Sequence, residues 1–195
     1  MLESVSTTGL SADETLYFSN GQIERKNTAG YGSYKYYYAD NRNTYRPTSI
    51  TNGLTTEAFT YNNIGNLTAT TLTGTGSKRI ITSSTYSADG NLVETVTDAA
   101  GSTISYTYGD ANSKMLARPT SVTAPNGTVT TTSYDLHNRV VQTSVDDEAT
   151  LVYNYSNGYL SSIVRTDSNN NTQTYDLINN EYGLTTSIEV GNRIL

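Results

Sequence analysis

The feature that most constrains this chain is a recurring aromatic. Phe18, Tyr38, Tyr61, Tyr86, Tyr108, Tyr134, Tyr155 and Tyr175 follow one another at intervals of 20 to 26 residues. A period of that size signals a repeat architecture, in which one supersecondary unit is copied along the chain. Each start runs into a turn and then an apolar residue: Tyr61-Asn62-Asn63-Ile64-Gly65-Asn66-Leu67, Tyr86-Ser87-Ala88-Asp89-Gly90-Asn91-Leu92, Tyr134-Asp135-Leu136-His137-Asn138-Arg139-Val140. Gly65, Gly90 and Asn138 fall at the fifth position, and these are residue types that tolerate positive φ.

Two echoes point to one ancestral unit. Arg46-Pro47-Thr48-Ser49-Ile50 returns as Arg118-Pro119-Thr120-Ser121-Val122. Phe18-Ser19-Asn20-Gly21 returns as Tyr155-Ser156-Asn157-Gly158, with Ile23 and Leu160 in matching places. A second turn divides each unit, at Asn52-Gly53, Gly74-Thr75-Gly76, Ala99-Ala100-Gly101, Asn126-Gly127, Asp146-Asp147-Glu148 and Asn169-Asn170-Asn171. Pro125-Asn126-Gly127 reads as a type I′ hairpin turn.

Between the turns the pattern has period two. Ile104, Tyr106 and Tyr108 share a face, as do Leu151, Tyr153 and Tyr155, and Phe59 and Tyr61. Leu10 to Tyr17 is the one weak helical candidate. The expected fold is therefore all-β: an antiparallel hairpin meander forming a curved sheet one layer thick. Composition agrees. Leu, Ile, Val and Phe make up only about a fifth of the chain, while Tyr alone accounts for 17 of 195 residues. Tyr and Thr favour strands, but so little aliphatic side chain fills only a thin core.

No Pro/Ser linker interrupts residues 1–195, which read as a single repeat segment with about eight units from residue 18. Residues up to about Asp13 fit the repeat poorly and are expected to fray. The last unit stops at Leu195 without a return strand, so the chain reads as a piece of a longer protein with bare edge strands able to pair with a neighbour.

Several function classes fall away. Net charge is −6 and no basic stripe exists, which argues against a nucleic-acid binder. Zero Cys removes disulfides, Cys-type zinc sites and thiol nucleophiles. No apolar run is long enough to span a membrane as a helix, and Met1–Leu10 lacks the pattern of a signal peptide. The single His, His137, lies in a turn with no positioned partner, so it reads as an exposed turn residue and not part of a catalytic triad. Asp146-Asp147-Glu148, and Asp167 with Asn169 to Asn171, could offer oxygens to Ca²⁺, but read better as solvated Asx-rich turns. Gly74-Thr75-Gly76-Ser77-Lys78 lacks phosphate-loop spacing. No cofactor, metal or catalytic residue is expected. Tyr34, Tyr36 and Tyr38 share a face opposite Tyr37; sheet packing is the simpler reading, a sugar-stacking platform the functional one.

These motifs resemble the YD-repeat, or RHS-repeat, family, whose unit runs Tyr-Asp-x-x-Gly-Arg/Asn-Leu-x-x-Ile/Val before a Gly-containing turn and a returning strand. Tyr134-Asp135 and Tyr175-Asp176 match its dipeptide, Gly65-Asn66-Leu67 and Gly90-Asn91-Leu92 its centre, and Leu184 to Gly191 its second strand. Tyr61, Tyr86 and Tyr155 lack the Asp, Asn138 stands where Gly is usual, and the Tyr38 and Tyr108 units carry longer first turns, ending at Pro47 and Pro119. The resemblance implies a non-enzymatic segment of a β-sheet shell in a secreted or cell-surface bacterial protein. Such a shell encloses a C-terminal polypeptide, often a toxin, so the partners are further repeats and the enclosed domain of the same parent chain. The alternative is an adhesion or carbohydrate-binding module on the same fold, with Tyr36 to Tyr38 or Tyr159 facing a glycan. In either case Phe18, Tyr38, Tyr61, Gly65, Leu67, Tyr86, Gly90, Leu92, Tyr108, Tyr134, Asp135, Val140, Tyr155, Leu160, Tyr175 and Asp176 are the expected structural signature.

Overall fold

The computed structural model describes residues 3–5, 13–42, 44–76, 79–109, 111, 114, 116–146, 148–191 and 193–194. Eighteen strands are present among them, grouped in two compact units, Met1–Thr103 and Ile104–Leu195.

The first unit holds β1 (Glu3–Val5), β2 (Asp13–Tyr17), β3 (Ile23–Thr28), β4 (Gly32–Tyr37), β5 (Ser49–Thr51), β6 (Thr55–Tyr61), β7 (Leu67–Gly74), β8 (Arg79–Tyr86) and β9 (Val93–Thr97). Each pairs antiparallel with the next in sequence. Asp13–Tyr17 is thus a strand, which corrects the weak helical reading of Leu10 to Tyr17. Backbone pairing of Glu14–Tyr17 with Ile23 to Asn27 of β3 outweighs a short run of helix formers. Glu3–Val5 pair in register with Asp13–Thr15.

The second unit repeats the plan. It begins with β10 (Thr103–Thr107), whose first residue belongs to the first unit, and continues with β11 (Ser121–Thr123), β12 (Val129–Tyr134), β13 (Val140–Val145), β14 (Ala149–Ser156), β15 (Tyr159–Asp167), β16 (Thr172–Asn179), β17 (Thr185–Val190) and β18 (Arg193–Ile194). These too form a sequential antiparallel meander.

Neither unit has a second layer among the described residues. Among the described residues strands contact only their neighbours in sequence, and Leu92, at 7% exposure, is the one buried hydrophobic side chain. Pairing sorts the side chains onto two faces. In the second unit Tyr153 lies opposite Ile163, Ile163 opposite Tyr175, and Tyr175 opposite Val190, while Leu151 and Leu177 fall on the same side. Arg165 and Gln173 continue the row of Leu151 on that side, and the other side carries Thr150, Asn154, Ser162, Thr174, Asp176 and Glu189 together with Val152, Val164 and Ile178. In β16 the apolar side is visibly the more shielded: Tyr175 and Leu177 are half-buried, Thr174 and Asp176 exposed.

The turns share one construction. In Asn62 to Asn66, Asp98 to Ser102, Asp135 to Arg139, Asp167 to Asn171 and Asn180 to Leu184, the first residue's N–H donates to the fifth residue's carbonyl, and the fourth residue's N–H donates back to the first carbonyl. The fourth residue has positive φ: 91° at Gly65, 61° at Asn138, 64° at Asn170. Ala124 to Thr128 has the same form, which corrects the type I′ reading of Asn126-Gly127. Gly127 alone has positive φ there (88°), because Pro125 presets negative φ ahead of it and commits the turn to type I with a glycine bulge. The true two-residue turn with both angles positive is Asn157-Gly158, at 51° and 88°. Ser77, Lys78 and Asp147, singled out in the sequence, lie outside the described residues.

Candidate functional site: the ladder of hairpin heads

Six strands end in a shared irregularity. Where Tyr17, Tyr61, Tyr86, Tyr134, Tyr155 and Asn179 enter their turns, the ladder skips one residue on the returning strand: Glu24, Thr68, Glu94, Val141, Ser161 and Thr186. Such a bulge adds twist and re-aims the neighbouring side chains. It also leaves a gap in the backbone ladder, and a hydroxyl fills it at three places. Thr68, Ser161 and Thr186 donate to the carbonyls of Thr60, Asn154 and Ile178 at 3.0–3.1 Å.

At four heads the tyrosine lies back over the segment that precedes its hairpin. Tyr61 and Tyr134 donate from their hydroxyls to the Pro47 and Pro119 carbonyls at 2.9 and 3.2 Å. Tyr86 donates to Leu67 (2.9 Å) and Tyr155 to Val140 (2.7 Å). Leu67 and Val140 are the strand partners of Tyr61 and Tyr134, so each head is fastened to the foot of the head before it. Asn179 continues the series with its amide, which donates to Leu160 at 2.8 Å. Burial pushes the Tyr61 phenol up from its usual range, against the pull of the nearby Arg46 charge.

A second series runs through the turns themselves, in the opposite direction. The side chains of Arg46 and Asn66 donate to the carbonyls of Gly65 and Gly90, and Arg118 donates to that of Asn138. Arg139 reaches the Gly158 carbonyl at 3.3 Å. Every acceptor is a positive-φ turn residue of the next hairpin. Three of the guanidinium groups also stand over head tyrosines: Arg46 over Tyr61, Arg118 over Tyr134 and Arg139 over Tyr155, at 5.9, 5.8 and 4.1 Å from the ring centroid. That is the range of a cation–π contact. The two Arg-Pro-Thr segments thus do identical work, one in each unit.

Asp135 holds its turn closed. Its Oδ1 accepts from the N–H groups of His137 (2.8 Å) and Arg139 (2.9 Å), and its Oδ2 meets the Arg139 guanidinium at 2.7 Å. The Arg139 N–H first, then its side chain, hold the Asp135 carboxyl below the usual carboxylate range. Asn62, Asp98, Asp167 and Asn180 accept from the same two backbone positions. Asp167 is thereby occupied within its own turn, and its carboxyl is lowered by the Asn171 amide.

The remaining signature positions fall in varied places. Phe18 sits one residue past the head Tyr17, as the first residue of its turn, and packs edge-on against Tyr38 with ring centroids 6.3 Å apart. Tyr38 and Tyr108 follow β4 and β10 directly; burial raises both phenols. Tyr175-Asp176 lies in the middle of β16, paired with Ile163 and Ser162, four residues before the turn. His137 is exposed in its turn. No group of acidic, His or Cys side chains able to hold a metal occurs among the described residues. Phe18, Asn20, Gln22, Tyr36, Tyr37 and Tyr38 line a shallow open concavity, with Tyr37 50% exposed.

Comparison with known proteins is consistent with this geometry. Residues 86–117 and 118–150 each match the model of the RHS Repeat family. No curated protein matches the chain. Among solved structures, the chain resembles TcdB2-TccC3-TEV at 14% identity, with a TM-score of 0.54 over 96% of its length. It also resembles the Tc holotoxin pore of Photorhabdus luminescens carrying the TccC3-D651A mutation, at 13% identity and a TM-score of 0.54 over 98%. TcdB2-TccC3-Cdc42 gives 13% and 0.53 over 96%. The chain spans 12% of the length of each of these. At such identities the likeness is one of fold, and the two adjacent RHS Repeat matches together span residues 86–150 of the 195.

Proposed function

We propose that the chain is a non-enzymatic wall segment, part of a β-sheet shell that encloses a polypeptide of the same parent protein. One observation carries the reading: the aromatic and apolar face of the second unit, from Leu151 and Tyr153 across Ile163 to Tyr175 and Val190, has no second layer over it among the described residues. A soluble single-layer sheet with an uncovered apolar face of that extent marks an interaction surface. The two fastening series explain how such a thin wall stays ordered: heads and turns are tied hairpin to hairpin, where a globular domain would rely on its core.

On this reading the 195 residues form one repeat segment, outside the cytoplasm, with the enclosed segment a toxin or other cargo. Limited proteolysis of the intact parent protein tests it. The enclosed segment stays uncut while the shell is folded and is digested once denaturant opens it; a segment cut at equal rates in both conditions refutes the enclosure. A second reading, glycan binding, is favoured by the open concavity around Phe18, Asn20 and Tyr37. It requires glycan-array signals that Tyr37→Ala abolishes.

A further inference from the structure

We propose that Asn157 is a site of spontaneous deamidation and isoaspartate formation, selected by the fold from the four Asn-Gly pairs of this chain. The pairs are Asn20-Gly21, Asn52-Gly53, Asn126-Gly127 and Asn157-Gly158. The reaction is intramolecular. The backbone nitrogen of the glycine attacks Cγ of the asparagine, the Cγ–Nδ2 bond breaks, and the amide proton departs with the leaving ammonia. Water then opens the resulting succinimide at either carbonyl, giving Asp or isoaspartate. Glycine favours this chemistry because no side chain shields its nitrogen, so all four pairs start alike and geometry separates them.

In three pairs both reacting groups are tied. The Asn20 side chain accepts from the Gln22 N–H and donates to the Gln22 side chain, and the Gly21 N–H donates to the Phe18 carbonyl at 2.9 Å. Asn52 Oδ1 accepts from the N–H groups of Leu54 and Thr55 and from the Thr55 hydroxyl, while the Gly53 N–H donates to Thr51 Oγ1 at 3.1 Å. Asn126 Oδ1 accepts from the Thr128 N–H at 3.0 Å, and the Gly127 N–H donates to the Ala124 carbonyl at 2.9 Å. Attack in these turns requires breaking bonds on both sides.

Asn157-Gly158 differs on each count. Both residues are exposed at the tip of a two-residue turn. Neither the Asn157 carboxamide nor the Gly158 N–H has a hydrogen-bond partner among the described residues. Arg139 Nη1 also lies 3.3 Å from the carbonyl oxygen of Gly158, the residue whose nitrogen attacks. A positive charge there favours the deprotonated nitrogen that performs the attack, and none of the other three glycine carbonyls accepts from an arginine among the described residues. Conversion places a carboxylate, and in isoaspartate an extra backbone methylene as well, at the hairpin tip that Arg139 fastens to the Asp135 turn. The site therefore acts as an age-dependent change in the ladder of turns.

The test needs no variant. The chain is held in mildly alkaline buffer, natively and in concentrated urea, and sampled over weeks by peptide mapping with mass spectrometry and isoaspartate detection. The expected result is deamidation at Asn157 several-fold faster than at Asn20, Asn52 or Asn126 in the native protein, with the four rates converging in urea. Native rates that are equal, or another Asn leading, overturn the proposal. A lead for Asn157 that persists undiminished in urea also overturns it, because local sequence and not the fold would then set the rate.

Discussion

The Tyr155 hydroxyl donates to the Val140 carbonyl across 2.7 Å, and Val140 is the strand partner of Tyr134, the head of the preceding hairpin. A head therefore grips the foot of its predecessor, and its own foot, Leu160, is gripped in turn by Asn179. Removing the donor while keeping the ring isolates this link. Tyr155→Phe should destabilise the second unit by about 1 kcal/mol, the usual net worth of one hydrogen bond. Urea unfolding monitored by circular dichroism reads this as a lower midpoint at unchanged slope.

Gly90 combines a left-handed backbone with a close neighbour. Its φ is 72°, and a Cβ added there would collide with Ile64 Cδ1 of the preceding turn. Gly90→Ala should cost about 1–3 kcal/mol from the backbone alone, plus the displacement of Ile64. Ile64→Ala in the same chain should recover the second part and leave the first. A double-mutant cycle by chemical denaturation separates the two contributions.

Arg139 makes three contacts at once: the Asp135 carboxylate, the Tyr155 ring and the Gly158 carbonyl. A partly exposed cation–π contact contributes about 0.5–1 kcal/mol, and a partly exposed ion pair about 0.2–1 kcal/mol. Arg139→Gln should lower stability by about 1 kcal/mol. Amide exchange at Tyr159 and Leu160, in the hairpin that Arg139 fastens, should quicken in step.

Acid should loosen the Asp135 turn. Its carboxyl titrates below the usual value in the folded chain, so the folded state binds its proton less readily than the unfolded one. The stabilisation is thus present above the unfolded carboxyl's pKa and is lost as pH falls through the lowered folded value. Asp135→Asn keeps the Oδ1 acceptor, as Asn62 and Asn180 do at the same position, but cannot titrate. The variant should show a shallower acid limb in a plot of urea midpoint against pH, with Asp40, Asp89 and Asp167, whose carboxyls are likewise held low, supplying what slope remains.

Much of this was legible in the residues, because the signals that place strands and turns are local. Alternating Tyr and Thr announce a strand within a few residues, and the positive-φ positions at Gly65, Gly90 and Asn138 follow from residue type. What could not be read was anything that depends on a neighbour twenty residues away. Tyr175-Asp176 copies the head dipeptide yet lies mid-strand, while Asn179 holds the head because an amide can donate to Leu160 as a phenol does. Arg46 and Arg118 were visible as an echo, but their reach to the next turn's carbonyl appears only once hairpins stand side by side. Pro125 overrode the Asn-Gly signal by a local rule that the dipeptide alone does not carry.

On the proposed function, the Tyr153–Ile163–Tyr175 face looks into an enclosed space and the opposite face into solvent. The chain has no cysteine, so single introduced thiols report each face without background. In the intact parent protein, maleimide should label Thr174→Cys readily, and Ile163→Cys only after denaturation. Equal native labelling at both positions would refute the enclosure.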